Sequence, residues 1–182
     1  YAEHFLQKFQ ELKETFGNGK LIKSLEDIML AAVLKNYVQY DFVVGNPPYV
    51  NIKKLSENYK DYLRSTYTSA REMFDLYVTF IELGLKKLVD GGKFGYIVPS
   101  KFLVAKYGRA LRDFILDYSN IIQLVDVSFV KVFADSTPYP VITLFEQNSN
   151  AENRLMNIIK VFEVKTDDAA ILVDIKNFKR LR

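Results

Sequence analysis

Asn46-Pro47-Pro48-Tyr49 is the stretch of this chain whose residue types can do chemistry. Asn46 carries a side-chain carbonyl acceptor and an NH2 donor. Pro47 has no N–H, yet its backbone carbonyl still accepts. Pro48 drives Pro47 into the extended region and so fixes where that carbonyl points. Tyr49 adds an aromatic face. Two rigid acceptors beside a flat ring suit a planar NH2 group, whose lone pair is delocalised and poorly nucleophilic. Acceptors that take both hydrogens draw the nitrogen towards a tetrahedral shape and free the lone pair, which is stabilisation aimed at charge that develops in the transition state. An Asn-Pro-Pro sequence is also a good turn in its own right.

The elements around the motif follow from periodicity. Tyr40 to Val44 is a short apolar run closed by Gly45, which reads as a buried strand ending in a loop. Upstream, Phe5, Phe9, Leu12 and Phe16 mark one face of a helix that ends at Gly17-Asn18-Gly19. Leu21 and Ile22 open a short strand, and Ser24 caps a second helix running to about Tyr37. Downstream, the polar segment from Asn51 to Arg71 holds a short helix near Glu57 to Ser65, and either folds over a site or is a surface connection. A clear helix runs from Glu72 to Val89 and is stopped by Asp90-Gly91-Gly92.

Phe94 to Val98 is the next strand, and Lys101 to Asp117 a basic amphipathic helix. Its Lys101, Lys106, Arg109 and Arg112 are expected on a solvated face. Ile121 to Val127 and Val141 to Phe145 are strands with no helix between them, so they suit an antiparallel pair. Asn157 to Val164 and Ala170 to Ile175 are further strand candidates before a basic tail, Lys176 to Arg182. Alternating strands and helices indicate an α/β domain with a parallel sheet.

Composition narrows the chemistry. The chain has 182 residues, 49% hydrophobic, with a formal net charge of +3. That charge permits nucleic acid as a partner without requiring it. There is no cysteine and one histidine, His4, so disulfides and Cys-based zinc sites are excluded and no metal site is expected. No apolar run is long enough to span a membrane and no signal peptide is visible, so no membrane partner and a cytoplasmic location are expected. The chain opens on Tyr1 rather than Met, as an excised fragment does.

Asn46-Pro47-Pro48-Tyr49 resembles motif IV of the S-adenosylmethionine-dependent amino-methyltransferases. Three further stretches extend the likeness: Phe74-Asp75-Leu76-Tyr77-Val78-Thr79-Phe80-Ile81-Glu82, Gly91 to Pro99, and Val132-Phe133-Ala134-Asp135-Ser136-Thr137 running into Val141. Together they resemble the γ-type adenine-N6 DNA methyltransferases of restriction–modification systems, as in large fused type II enzymes. The resemblance covers roughly Tyr40 to Glu146.

The resemblance implies a partial class I (Rossmann-like) methyltransferase fold, α/β, with a mostly parallel sheet and an antiparallel edge. It implies S-adenosylmethionine as cofactor, double-stranded DNA as partner, and direct methyl transfer to a flipped adenine. Asn46 and Pro47 would accept from the target amine, Tyr49 would stack on the base, and Phe133 would face it from the other side. Leu76 and Phe80 match positions that line the pocket for the cofactor adenine, and equally suit ordinary helix core.

The likeness stops upstream. No glycine-rich cofactor loop is visible between Tyr1 and Tyr40, and no clear acid stands at a second strand end to bind a ribose. The expected organisation is a helical segment over 1–39, the catalytic half of a methyltransferase domain over 40–147, and an extension over 148–182 leading towards a target-recognition domain. The rest of that polypeptide is then an expected partner, and the fragment alone an inactive one. An apolar strand at Tyr40 to Val44 would lie at an open sheet edge. Two other readings stand beside this one: a protein-glutamine or RNA methyltransferase, because a glutamine also presents a planar NH2, and a non-catalytic module that binds nucleic acid or a partner subunit.

Overall fold

The computed structural model describes residues 2–17, 19–129 and 139–164. The chain divides into two units, Tyr1–Gln39 and Tyr40–Arg182. In the first, α1 (Ala2–Phe16) and α2 (Lys20–Asn36) are joined at Gly17, whose φ of +65° suits a residue without Cβ, and a Lys13–Glu26 ion pair links them. Leu21 and Ile22 lie inside α2 instead of forming a strand. No Gly or Pro interrupts the chain from Lys20 to Asn36, so the helix starts directly after the turn. Gly19 holds the cap position, and the Ser24 hydroxyl donates to the Lys20 carbonyl within the helix.

The second unit runs β1 (Tyr40–Gly45), α3 (Glu57–Thr66), α4 (Tyr77–Lys86), β2 (Leu88–Pro99), α5 (Arg109–Tyr118), β3 (Ser119–Asp126), β4 (Pro140–Gln147), α6 (Ala151–Leu155) and β5 (Lys160–Glu163). The strands form one sheet in the order β1-β2-β4-β3-β5. β1 pairs parallel with β2, and β3 with β5, while β4 is antiparallel to both β2 and β3. This is the expected α/β class with a mixed sheet. The antiparallel part lies inside the sheet, not at its edge, because β4 sits between β2 and β3 and runs opposite to both. The carboxyl ends of β1, β2 and β3 therefore share one end of the sheet.

Tyr77, Ile81 and Leu85 of α4, with Leu111 and Ile115 of α5, close over Phe94, Val98, Val141 and Phe145 on one sheet face. The rings of Phe94 and Phe145 stack at 5.4 Å. α4 comes close because position 84 is glycine: a Cβ there would meet Phe94 at 2.7 Å and Val43 at 3.2 Å. The reading of Tyr40 to Val44 as a buried strand needs correction. β1 is an edge strand, and Phe42 and Val44 are 71% and 80% exposed, whereas Val43 between them packs on the core. Successive side chains alternate between faces, and the Phe42 and Val44 face forms an open apolar groove with Ile97, Ile142 and Leu144.

Two helices are shorter than their periodicity suggests. α4 begins at Tyr77, not Glu72, because the backbone of 74–76 is hydrogen-bonded to 50–52. It ends at Lys86, and Asp90-Gly91-Gly92 falls within β2, where the register against β1 shifts. The span from Lys101 to Asp117 divides into 3₁₀ turns at Ser100–Leu103 and Lys106–Gly108 followed by α5. The Arg112 guanidinium donates to the carbonyls of Phe102 (2.7 Å) and Ala105 (3.0 Å), so it fastens those turns to α5 instead of facing solvent. Lys101, Lys106 and Arg109 are exposed, with Lys106 paired to Glu72 and Arg109 to Asp113. The strand candidate at Asn157 to Val164 appears as the shorter β5. Ala170 to Ile175 and the basic tail lie outside the described residues. No helix among the described residues is long and apolar enough to cross a membrane.

Glu82 of α4 is a fully buried carboxylate. It accepts from the Thr68 N–H and hydroxyl, from the Ser69 N–H at 2.7 Å and from the Lys86 ammonium at 2.6 Å. Burial pushes its carboxyl up, but Lys86 and the Ser69 and Thr68 donors outweigh that and hold it below the usual carboxylate value. The bonds tie the loop after α3 to the helix that underlies the motif. Because the folded-state value is depressed, the stabilisation is present above the ordinary carboxylate value and is lost as pH falls through the lower folded one. Glu82→Gln is expected to destabilise the protein by about 1.5–3 kcal/mol at neutral pH, the range for hydrogen bonds to a charged group. In urea titrations the gap between variant and native should close progressively below the ordinary carboxylate range, and a gap independent of pH would contradict the ionised network.

Candidate active site

The motif loop starts where β1 ends. Gly45 is the last β1 residue in the ladder, opposite Tyr96 of β2, so the chain is fixed up to the residue before Asn46. It is fixed again at Val50, after four intervening residues. The Leu76 N–H donates to the Val50 carbonyl at 2.7 Å, and the Ile52 N–H to the Phe74 carbonyl at 3.1 Å. Asn51 and Asp75 form the antiparallel bridge between these bonds. The Asn51 side chain works twice: its amide donates to Asp75 Oδ1 at 2.8 Å, and its Oδ1 accepts from the Lys53 N–H, capping a short 3₁₀ turn. Ile52 beneath it is buried.

Between these anchors, Asn46 is exposed at the carboxyl end of β1, Pro47 is buried and Pro48 is exposed. Tyr49 is half-buried, its ring edge-on to that of Tyr77 at 6.2 Å. The Tyr49 hydroxyl oxygen lies 2.6 Å from Asn46 Oδ1 and 2.8 Å from the Ile97 carbonyl oxygen. Tyr77 is fully buried, and its hydroxyl bonds that of Tyr107 at 2.9 Å. Burial pushes the Tyr49, Tyr77 and Tyr107 phenols above their ordinary value, further from the neutral range, in which a phenol is already protonated.

Leu76 is buried at the start of α4, and its backbone holds the motif loop through Val50. Phe80, one turn on, is half-buried against the same core. Asn46, Tyr49 and Leu76 thus belong to one connected assembly, with Phe80 behind it. Phe133 lies outside the described residues. The chain leaves the described part at Phe129, after the carboxyl end of β3, and re-enters at Tyr139, which takes the Ser100 N–H on its carbonyl just beyond β2. Both flanks are therefore at the sheet end that carries Asn46.

Sequence reading missed Asn51, Asp75 and the Ile97 carbonyl. Asn51 carried a local signal, an Asn positioned to cap the following turn. Its partner is 24 residues away, and the Ile97 carbonyl is 48 residues from Tyr49, so neither pairing has a local signature. Among the described residues no group of His, Asp or Glu is placed to hold a metal ion.

Residues 2–133 match the family model described as Eco57I restriction-modification methylase. The type II restriction enzyme and methyltransferase RM.Eco57I of Escherichia coli is 34% identical over 133 residues, 71% of this chain and 13% of the relative. The type II methyltransferase M.BstVI of Geobacillus stearothermophilus is 30% identical over 142 residues, 78% of this chain and 25% of the relative. The chain thus spans a quarter or less of these relatives' length.

Among solved structures, a Listeria monocytogenes protein described as a class I S-adenosylmethionine-dependent methyltransferase superposes with a TM-score of 0.59 at 16% identity, covering 79% of this chain and 44% of that one. The type IIG restriction endonuclease BpuSI gives 0.59 at 19%, covering 81% and 17%. At such identities the likeness shows the fold, that of class I methyltransferases.

The double duty of Asn51 gives a ranked expectation. Asp75→Ala removes one hydrogen bond from the clamp behind the motif, and Asn51→Ala removes that bond and the turn cap. Each bond contributes about 1 kcal/mol, so urea denaturation should find Asn51→Ala the more destabilising of the two. The reverse order would show that the clamp does not run through the Asn51 side chain.

Proposed function

The chain belongs to the Eco57I restriction-modification methylase family, and from that premise we propose that it forms the base-accepting part of an S-adenosylmethionine-dependent DNA methyltransferase acting on the N6 amine of adenine. The observation that carries this reading is the exposed Asn46 carboxamide at the carboxyl end of β1, held beside a half-buried Tyr49 on a loop anchored at both ends. Ligand sites of open α/β sheets form outside the carboxyl ends of strands. Acceptors that do not need to reorganise stabilise charge best.

An adenine amine inside a duplex cannot reach such a loop, so the base has to leave the stack. Tyr49 then offers its ring to the flipped base, with Phe133 proposed on the opposite side. Stacking contributes about 1–3 kcal/mol per base, comparable with the few kcal/mol spent on unstacking. Asn46 and the Pro47 carbonyl accept the two amine hydrogens, and the nitrogen lone pair is released as the centre becomes tetrahedral. The proton shed after transfer leaves with solvent. No covalent enzyme intermediate is needed, and the chain has no cysteine to form one.

S-adenosylmethionine, when bound, supplies an electrophilic methyl group. The residues assigned to its adenine pocket fit in part: Phe80 keeps a partly accessible ring, whereas Leu76 is closed into the core and serves through its backbone. We therefore assign the catalytic half to 40–147 and expect the 182 residues alone to be inactive, with the rest of the polypeptide and double-stranded DNA as partners.

The test is Asn46→Ala in the full-length protein. Binding to an unmethylated duplex should be nearly unchanged while single-turnover methyl transfer falls roughly 10²–10³-fold, the effect of removing one preorganised hydrogen-bonding group. An unchanged transfer rate would remove Asn46 from the chemistry.

A further inference from the structure

A phenol hydroxyl has one proton. The Tyr49 hydroxyl nevertheless lies within hydrogen-bond reach of two oxygens, Asn46 Oδ1 at 2.6 Å and the Ile97 carbonyl at 2.8 Å. It can donate to only one of them. With the amide oxygen in that place, the other contact sets two acceptors face to face with no hydrogen between them. Turning the Asn46 carboxamide over resolves the conflict. The oxygen and nitrogen of a primary amide are nearly isosteric, and their assignment follows from the surrounding hydrogen bonds. The hydroxyl then donates to Ile97 and accepts from Asn46 Nδ2–H, a bond that needs only a slight lengthening to reach the usual N–H···O range.

The Ile97 end of this relay is the fixed one. Its carbonyl belongs to β2, whose residue 97 pairs with Ile142 of β4 and whose Tyr96 pairs with Gly45, the residue before Asn46. A carbonyl cannot become a donor, so it dictates the direction of the Tyr49 proton. The Tyr49 ring is kept in place by Tyr77. A phenol is protonated throughout the neutral range, and burial raises the value for Tyr49 further.

We propose that the Tyr49 hydroxyl is a positioning group: it takes its polarity from the Ile97 carbonyl and turns the Asn46 carboxamide so that Oδ1 faces outward, towards the target amine. Asn46 is exposed, and its two orientations would otherwise be close in energy. In the wrong one an NH2 meets an NH2, donor against donor, and no acceptor is offered. The relay Asn46 N–H to Tyr49 O–H to Ile97 carbonyl has one polarity along its length, which strengthens each bond. This role is additional to the ring's stacking. It rests on the reading that Asn46 accepts from an amine.

The experiment uses Tyr49→Phe in the full-length methyltransferase, which keeps the ring and removes the hydroxyl. Single-turnover methyl transfer should fall roughly fivefold, the worth of one neutral hydrogen bond. The fluorescence of 2-aminopurine at the target position, which reports base extrusion, should not change. The same substitution is then made in Asn46→Asp, where both side-chain oxygens are acceptors and no wrong orientation exists. There the loss should be less than about twofold, a non-additivity that marks coupled residues. Equal losses in the two backgrounds, or no loss beside Asn46, overturn the proposal.

A second measurement does not depend on turnover. In side-chain amide NMR of the native protein, Asn46 Hδ2 should show an NOE to the Tyr49 ring protons that disappears in Tyr49→Phe. If no such NOE is found, the orientation proposed is wrong whatever the enzyme methylates. If the native protein transfers no methyl group but the NOE is present, the functional reading fails and the relay stands.

Discussion

The site depends on a double constraint on four residues. Gly45 is held in the β1–β2 ladder, and the chain from Val50 to Ile52 is held against Phe74 to Leu76. Asn46, Pro47, Pro48 and Tyr49 bridge these two anchors, and the prolines leave little torsional freedom in between. The exposed carboxamide therefore needs no helix of its own to stay in place. Its stiffness comes from backbone hydrogen bonds made elsewhere, to β2 on one side and to the start of α4 on the other.

That constraint passes down to the core. α4 supplies both the backbone that clamps the loop and the apolar face that packs on the sheet. Gly84 lets it approach Phe94 and Val43 closely, and Glu82 on the same helix draws in the loop after α3 through buried, charge-assisted bonds. A shift of α4 would thus move the motif clamp, the Tyr77 ring beside Tyr49 and the Thr68–Ser69 loop together. The price of this economy is a sheet whose other face, at Phe42 and Val44, is left apolar and open.

Local pattern was enough for much of this. β1 from Tyr40, α3 near Glu57, and the strand pair β3 and β4 follow from apolar runs bounded by turn residues, and the lack of a helical sequence pattern between the two runs pointed to the antiparallel pairing of β3 and β4. The errors arose where a distant partner overrides a local preference. Helical spacing continues back to Phe74, yet the 74–76 backbone is committed to 50–52 and the helix waits until Tyr77. Arg112 looked like a surface charge, but the carbonyls of Phe102 and Ala105 come within its reach only once the chain has folded back at Gly108. The exposure of Phe42 and Val44 has the same origin, since an apolar strand is buried only if both sheet faces are covered. Within the site, the position of Asn46, Pro47 and Tyr49 in a loop at the end of β1 was legible, because an apolar run closed by Gly45 leads directly into them. Asp75 and the Ile97 carbonyl were not, because each meets the motif across tens of residues.

The central claim is that this geometry presents acceptors to an adenine amine. Its most direct test is the identity of the modified base. DNA incubated with the full-length protein and S-adenosylmethionine carrying a labelled methyl group is digested to nucleosides and separated by chromatography. The account predicts that the label is found in N6-methyladenine. Label in any other nucleoside, or in protein glutamine with none in DNA, would contradict it.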